Sequence, residues 1–122
     1  MTKRKIILNG QTPLAELQSM PNGGGSDLTL KKDVKQIKSG LSRILALRPV
    51  TWRWKVAKLG DREEHGFIAQ EVEEVLPQLV SLGTWEDGTE RKFLSTKEMI
   101  PYLVAAVQEQ QKQISELRKR LD

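Results

Sequence analysis

Apolar positions along this chain fall into a helical rhythm at the end, and into shorter helical and strand rhythms before it. The last run is the clearest. Ile100, Val107, Ile114 and Leu121 repeat every seven residues, and Leu103, Gln110 and Leu117 occupy the second heptad position. That spacing predicts a coiled-coil helix over 95–122. Ser95-Thr96-Lys97-Glu98 has the capping-box form for its start, and Pro101 either kinks the helix or marks its true beginning. β-Branched residues at the first position with leucine at the second favour two parallel strands, while Gln110 is a polar residue able to fix register and oligomer state instead. About three heptads are too few to hold subunits together unaided, so the preceding domain must contribute.

Upstream, Val34, Ile37, Leu41, Ile44, Leu45 and Leu47 predict a helix over 33–47, weakened at Gly40 and ended by Arg48-Pro49. Val50 to Val56 alternates with β-branched and aromatic residues, as a half-buried strand does. Residues 59–65 read as a charged loop or hairpin tip, and Gly66-Phe67-Ile68-Ala69 as a short apolar strand. An amphipathic helix follows over Gln70–Leu76, stopped by Pro77. Then Gln78–Leu82 and Thr89–Leu94 form a hairpin around Asp87-Gly88. At the other end, Lys5–Gly10 predicts a short strand, Thr12–Leu17 one helical turn and Met20–Gly25 a linker. These first residues hold too few apolar groups to offset their own chain entropy, so they read as the end of something else or as a piece that borrows a partner. The fold class is α+β: a small mixed domain of short strands and helices, then a C-terminal helix.

Composition narrows the chemistry. With 122 residues, 38% hydrophobic and 30% charged, the core is lean, and oligomerisation is the remaining source of stability in a chain without cysteine. No cysteine and a single histidine exclude disulfide, thiolate and multi-histidine zinc chemistry, and no cofactor or metal is expected. Ile6-Ile7-Leu8 is too short for a signal peptide and no stretch suits a bilayer, so a soluble cytoplasmic protein with no membrane partner is expected. The net charge of +4 is unevenly spread. Between Lys31 and Lys58 nine basic side chains face Asp33 alone, and between Asp61 and Leu76 six acidic ones face Arg62. A basic stretch followed by an acidic one suits pairing within or between subunits better than nucleic-acid binding, for which no motif is present.

The remaining candidate chemistry sits at one joint, Asn22-Gly23-Gly24-Gly25-Ser26-Asp27-Leu28-Thr29-Leu30-Lys31. By residue type alone it reads first as a flexible linker with a helix cap. It also holds a hydroxyl and an amine five positions apart. A serine needs a base to act as a nucleophile, and a lysine serves once burial disfavours its charged form. The Gly25–Ser26 bond is the natural target, because the serine Oγ lies near its own preceding carbonyl. In an extended segment the two side chains stand far apart, so the chain must turn or the lysine must come from a neighbouring subunit. His65 is a second candidate base, and Asp27 is able to orient either.

Four blocks carry a resemblance. They are Ser26-Asp27-Leu28-Thr29-Leu30-Lys31-Lys32-Asp33-Val34, Leu47-Arg48-Pro49-Val50-Thr51-Trp52-Arg53-Trp54-Lys55, the run from His65-Gly66-Phe67-Ile68-Ala69-Gln70-Glu71-Val72 to Val80, and a terminal helix containing Ile100 to Glu109. In that order they resemble the C-terminal intramolecular chaperone domain of phage endosialidases and tail fibres, the S74 peptidase family, with related domains in myelin regulatory factor-like proteins. The resemblance implies a homotrimer with a three-stranded coil, in place of the two strands that heptad chemistry favours. It implies that 26–122 is the chaperone domain (26–94 the α+β part, 95–122 the coil) and that 1–25 is a passenger remnant with its linker. It further implies help in folding a β-structured N-terminal passenger, release by cutting between Gly25 and Ser26, and a place in virion assembly in the host cytoplasm. Ser26 matches the nucleophile, Lys31 its dyad partner and His65 a histidine implicated in some members. The pattern usually carries arginine three residues after the serine, where this chain has Thr29. That departure motivates an alternative, a trimerisation and folding module that does not cleave.

Overall fold

The computed structural model describes residues 25–122. The strand expected over 5–10, the turn over 12–17 and most of the linker lie outside the described residues. The chain divides into two compact units, Met1–Gln36 and Ile37–Asp122.

In the first unit the described residues carry one 3-10 turn, Leu28–Leu30, with Asp27 as its N-cap. Asp33 adopts a left-handed conformation (φ 55°), which its short polar side chain tolerates better than most.

The second unit holds three helices and two antiparallel hairpins: α1 (Gly40–Leu45), β1 (Val50–Trp52), β2 (Glu64–Gly66), α2 (Ala69–Val75), β3 (Val80–Thr84), β4 (Glu90–Leu94) and α3 (Ile100–Leu121). Strand β1 pairs with β2, placing Val50 opposite Gly66 and Thr51 opposite His65. Strand β3 pairs with β4 from Val80–Leu94 to Thr84–Glu90, and Gly88 turns the hairpin at φ 84°. The α+β class is therefore observed.

A core of Val72, Leu76, Leu79 and Met99 sits where α2, the second hairpin and the start of α3 meet. Ile44, Leu47, Phe67, Val75, Val80, Leu94 and Tyr102 close around it. Leu76 and Val72 are the largest fully enclosed side chains. Pro77 ends α2 and opens a 3-10 turn, Pro77–Leu79, that carries Leu79 into this core.

Several elements differ from the pattern reading, each for a local reason. The helix expected over 33–47 spans only Gly40–Leu45, because Asp33 and Ser39 both take left-handed backbone (φ 55° and 59°) that no α-helix continues through. Gly40 is the helix's first residue and not a flaw in its middle. A Cβ there would lie 2.7 Å from the Ala105 Cβ and 3.1 Å from the Tyr102 carbonyl oxygen, so only glycine lets α1 approach α3 so closely. The strand expected over 50–56 stops at Trp52, and the apolar strand expected over 66–69 is instead Glu64–Gly66. The capping box does not form. Ser95 extends the second hairpin by donating its amide to the Leu79 carbonyl at 2.8 Å, and a 3-10 turn over Lys97–Met99 leads into α3. Pro101 falls in the first turn of α3, so it marks the helix's start.

The basic and acidic stretches do pair within the chain. Arg48 grips Glu71 with two hydrogen bonds, of 2.9 and 2.6 Å, and Arg53 lies 3.7 Å from Asp61. Two further pairs each join one stretch to the second hairpin, Lys58 with Glu86 and Lys92 with Glu73. These groups are largely exposed, so each pair contributes little to stability on its own.

Helix α3 presents two different surfaces. Its first half packs Tyr102, Ala105, Ala106 and Glu109 toward the rest of the unit, while Ile100, Leu103, Val104 and Val107 are exposed. From Gln110 to Leu121 every residue is exposed, and the heptad stripe continues along it as Ile114, Leu117 and Leu121.

Candidate functional site

Ser26 and Lys31 come together. The Lys31 Nζ donates to the Ser26 Oγ at 2.7 Å. Five fully extended residues span about 17 Å, so this contact exists only because the chain turns between them. The turn is made by two backbone bonds, Leu30 N to Asp27 O at 3.0 Å and Lys31 N to Leu28 O at 3.1 Å. No core holds it: Leu28 and Leu30 are 74% and 50% exposed, and the whole of 25–36 is exposed on the surface of its unit.

Asp27 is committed to the turn. Its Oδ1 accepts from both the amide (2.9 Å) and the hydroxyl (2.6 Å) of Thr29. The Thr29 hydroxyl, and after it the Thr29 amide, holds the Asp27 carboxyl below its ordinary range. The carboxylate expected to orient one of the two candidate bases, Lys31 or His65, therefore accepts both of its hydrogen bonds from Thr29, between Ser26 and Lys31. Thr29, singled out from sequence only as a departure from a pattern, is its partner. The same device recurs in the second hairpin, where Asp87 Oδ1 accepts from the Thr89 amide at 3.0 Å and hydroxyl at 2.5 Å. An aspartate two residues before a threonine was thus a readable turn signal at both places.

His65 belongs to the other unit. It stands on β2 opposite Thr51, three-quarters exposed, with its Nε2 4.0 Å from a Glu63 carboxylate oxygen. It lines an open groove of about 810 Å³ in which all three tryptophans and both phenylalanines of the chain gather. Trp52 and Trp54 meet there edge to face, with centroids 5.7 Å apart.

A second residue that sequence reading missed is Glu109. Its carboxylate accepts the Leu41 amide at 3.1 Å, across 68 positions of sequence. Ser39, at the N-cap, makes no side-chain cap bond, so α3 supplies the cap for α1. Nothing local signals such a contact. Among the described residues no group of three or more histidine, cysteine, aspartate or glutamate side chains is placed to hold a metal ion, and no helix is long and apolar enough to cross a membrane.

What the joint can do chemically is limited and specific. A hydroxyl and an amine are in hydrogen-bond contact, and the hydroxyl belongs to the residue that follows the Gly25 carbonyl. In the contact observed the lysine is the donor. Catalysis needs the reverse, with Ser26 donating to an uncharged amine.

Comparison with known proteins starts at the same serine. Residues 26–81 match the family model described as chaperone of endosialidase, an S74 peptidase family. No curated protein matches the chain. The match opens on Ser26, takes in Lys31 and His65, runs through the first hairpin and α2, and ends in β3. Over residues 26–81 this chain is similar to the chaperone-of-endosialidase family of S74 peptidases.

Proposed function

We propose that this chain is a homotrimeric intramolecular chaperone that brings three copies of an N-terminal passenger together and then cuts itself off between Gly25 and Ser26. The observation that carries this reading is the 2.7 Å contact between Lys31 Nζ and Ser26 Oγ at the first residues of the family match. In the cutting step, an uncharged Lys31 amine takes the Ser26 hydroxyl proton and Oγ adds to the Gly25 carbonyl carbon. The Gly25–Ser26 amide bond breaks, and the Ser26 nitrogen leaves with a proton as a free α-amine. The ester left between Gly25 and Ser26 Oγ is then hydrolysed by water, which restores the serine hydroxyl and frees the Gly25 carboxylate. No metal or cofactor enters.

Trimerisation is supported by α3. Twelve residues of exposed helix with an apolar stripe are too short to be stable alone in water, and association of such stripes buries them. Assembly also supplies what the exposed joint lacks. Removing water from Lys31 favours its neutral form, so the base is made when the trimer is made. Partners are then further copies of this chain and a passenger in cis, in the cytoplasm where a virion is assembled.

Intact-mass measurement of freshly folded wild-type chain beside Ser26→Ala tests the reading. Wild type is expected as two pieces, 1–25 and 26–122, and the alanine variant as one chain of 13.9 kDa. A fully trimeric wild type that stays whole defeats the cutting step. The exposure of the joint then favours the other reading, a trimerisation and folding module without peptidase activity.

A further inference from the structure

We propose that Thr29 is the positioning residue of the Ser26–Lys31 pair: its hydroxyl holds the turn that presents the lysine to the serine. The inference rests on the self-cutting reading for its catalytic consequence, but the geometry behind it stands separately.

The turn has little else to hold it. A three-residue 3-10 segment has poor hydrogen-bond geometry and gains little from its own two backbone bonds. It buries no apolar side chain, since Leu28 and Leu30 both face solvent. What remains is the Asp27 carboxylate, and both side-chain-directed bonds it accepts come from Thr29. Bonds to an ionised acceptor are the stronger kind. With them, the residue in the middle of the turn is tied to the residue that opens it, and the Lys31 side chain folds back over Ser26. Without the hydroxyl, one of the two ties is lost at the centre of a five-residue reach. The matching pair in the second hairpin, Asp87 with Thr89, shows the same two bonds around a turn of different shape. The device is therefore a property of aspartate followed two positions later by threonine, and not of the joint's surroundings.

The chain has no cysteine, so Ser26→Cys installs a single reporter at the position of the nucleophile. Alkylation of that thiol by iodoacetamide, followed against pH in the full chain, reads how close the Lys31 ammonium stands, because a neighbouring cation favours the thiolate. Relative to Ser26→Cys with Lys31→Gln, the Ser26→Cys chain should react with a midpoint lower by roughly one pH unit, the low end of what a nearby opposite charge does. Adding Thr29→Val, which removes the hydroxyl and keeps the β-branched shape, should raise the midpoint to that of the Lys31→Gln chain. Adding Thr29→Ser should leave it low. An unchanged midpoint in the valine chain, or a serine chain that behaves like the valine chain, overturns the proposal.

In chains that keep Ser26, cutting followed by intact mass should slow about tenfold with Thr29→Val and stay near wild type with Thr29→Ser. Equal rates for valine and wild type also overturn it. If wild type itself does not cut, the self-cutting reading fails, and the thiol midpoints still decide the role of Thr29.

Discussion

The body around Leu76 and the joint around Ser26 are held by different forces. In the body, Val72, Leu76, Leu79 and Met99 are shut away from water, and hairpin, helix and turn converge on them. Among the described residues of the joint no side chain is buried, and their order comes from hydrogen bonds among Asp27, Thr29, Lys31 and Ser26. Burial gives a structure that persists whatever surrounds it. Exposed hydrogen bonds compete with water and contribute little net stability, but they set geometry. The joint therefore has the contact that the proposed chemistry needs, but in exposed surroundings. In the proposed function, this difference links cutting to assembly.

Substitutions sharpen the contrast. The largest effect is expected from Leu76→Ala. Removing most of a fully enclosed leucine should cost about 2–5 kcal/mol, read as a lower urea midpoint with unchanged slope. Gly40→Ala comes next. Its new methyl would meet Ala105 and the backbone of α3 at less than contact distance, and such overpacking costs about 1–3 kcal/mol. Glu109→Ala removes the cap on α1 from the other side of the same seam, for about 1 kcal/mol. All three act within the second unit, so the Ser26–Lys31 contact should persist in each wherever the chain remains folded. Loss of that contact in a folded Glu109→Ala chain would break the comparison.

The smallest effect is a pH effect on the joint. Asp27 is held below its ordinary range, chiefly by the Thr29 hydroxyl and then by the Thr29 amide. A carboxylate with a lowered value in the folded state stabilises above its unfolded value, and that contribution disappears as pH falls through the lowered one. The turn should therefore be fully formed at neutral pH and loosen only in acid. Followed by NMR, the Thr29 amide should titrate with a midpoint below about 3.9, the usual aspartate value. The Thr89 amide beside Asp87 should do the same, for the same cause. A Thr29 midpoint at or above the usual value would remove the Asp27–Thr29 tie from the account.

Much of this was legible in the sequence, and the parts that were not share a physical reason. The heptad stripe of α3, the stop at Pro77 and the turn at Asp87-Gly88 are local signals, and each lies where its residues place it. The helix expected over 33–47 failed because apolar spacing says nothing of backbone angle. Ser39 and Asp33 are left-handed, and no periodicity registers that. Gly40 was read as a helix weakness because propensity ignores the partner, and the partner here is Ala105 on a helix far along the chain. The contact between Glu109 and the Leu41 amide is non-local in the same way. At the joint, Ser26 and Lys31 could be named from residue types and a family resemblance, but the turn that joins them could not. Its signal, Asp27-Leu28-Thr29, is present in the sequence, but the family pattern marks Thr29 only as the place of an arginine.

In the proposed function, assembly and not the local pair switches cutting on. Val107→Asp with Ile114→Asp places charges in the exposed stripe of α3, away from the core, and should leave a folded monomer by sedimentation. The most direct measurement is the rate of appearance of free 1–25 in this variant and in wild type, by intact mass under the same folding conditions. Wild type should cut as trimer forms, and the monomer should remain whole with its Ser26–Lys31 contact in place. A monomer that cuts at the wild-type rate would contradict the claim.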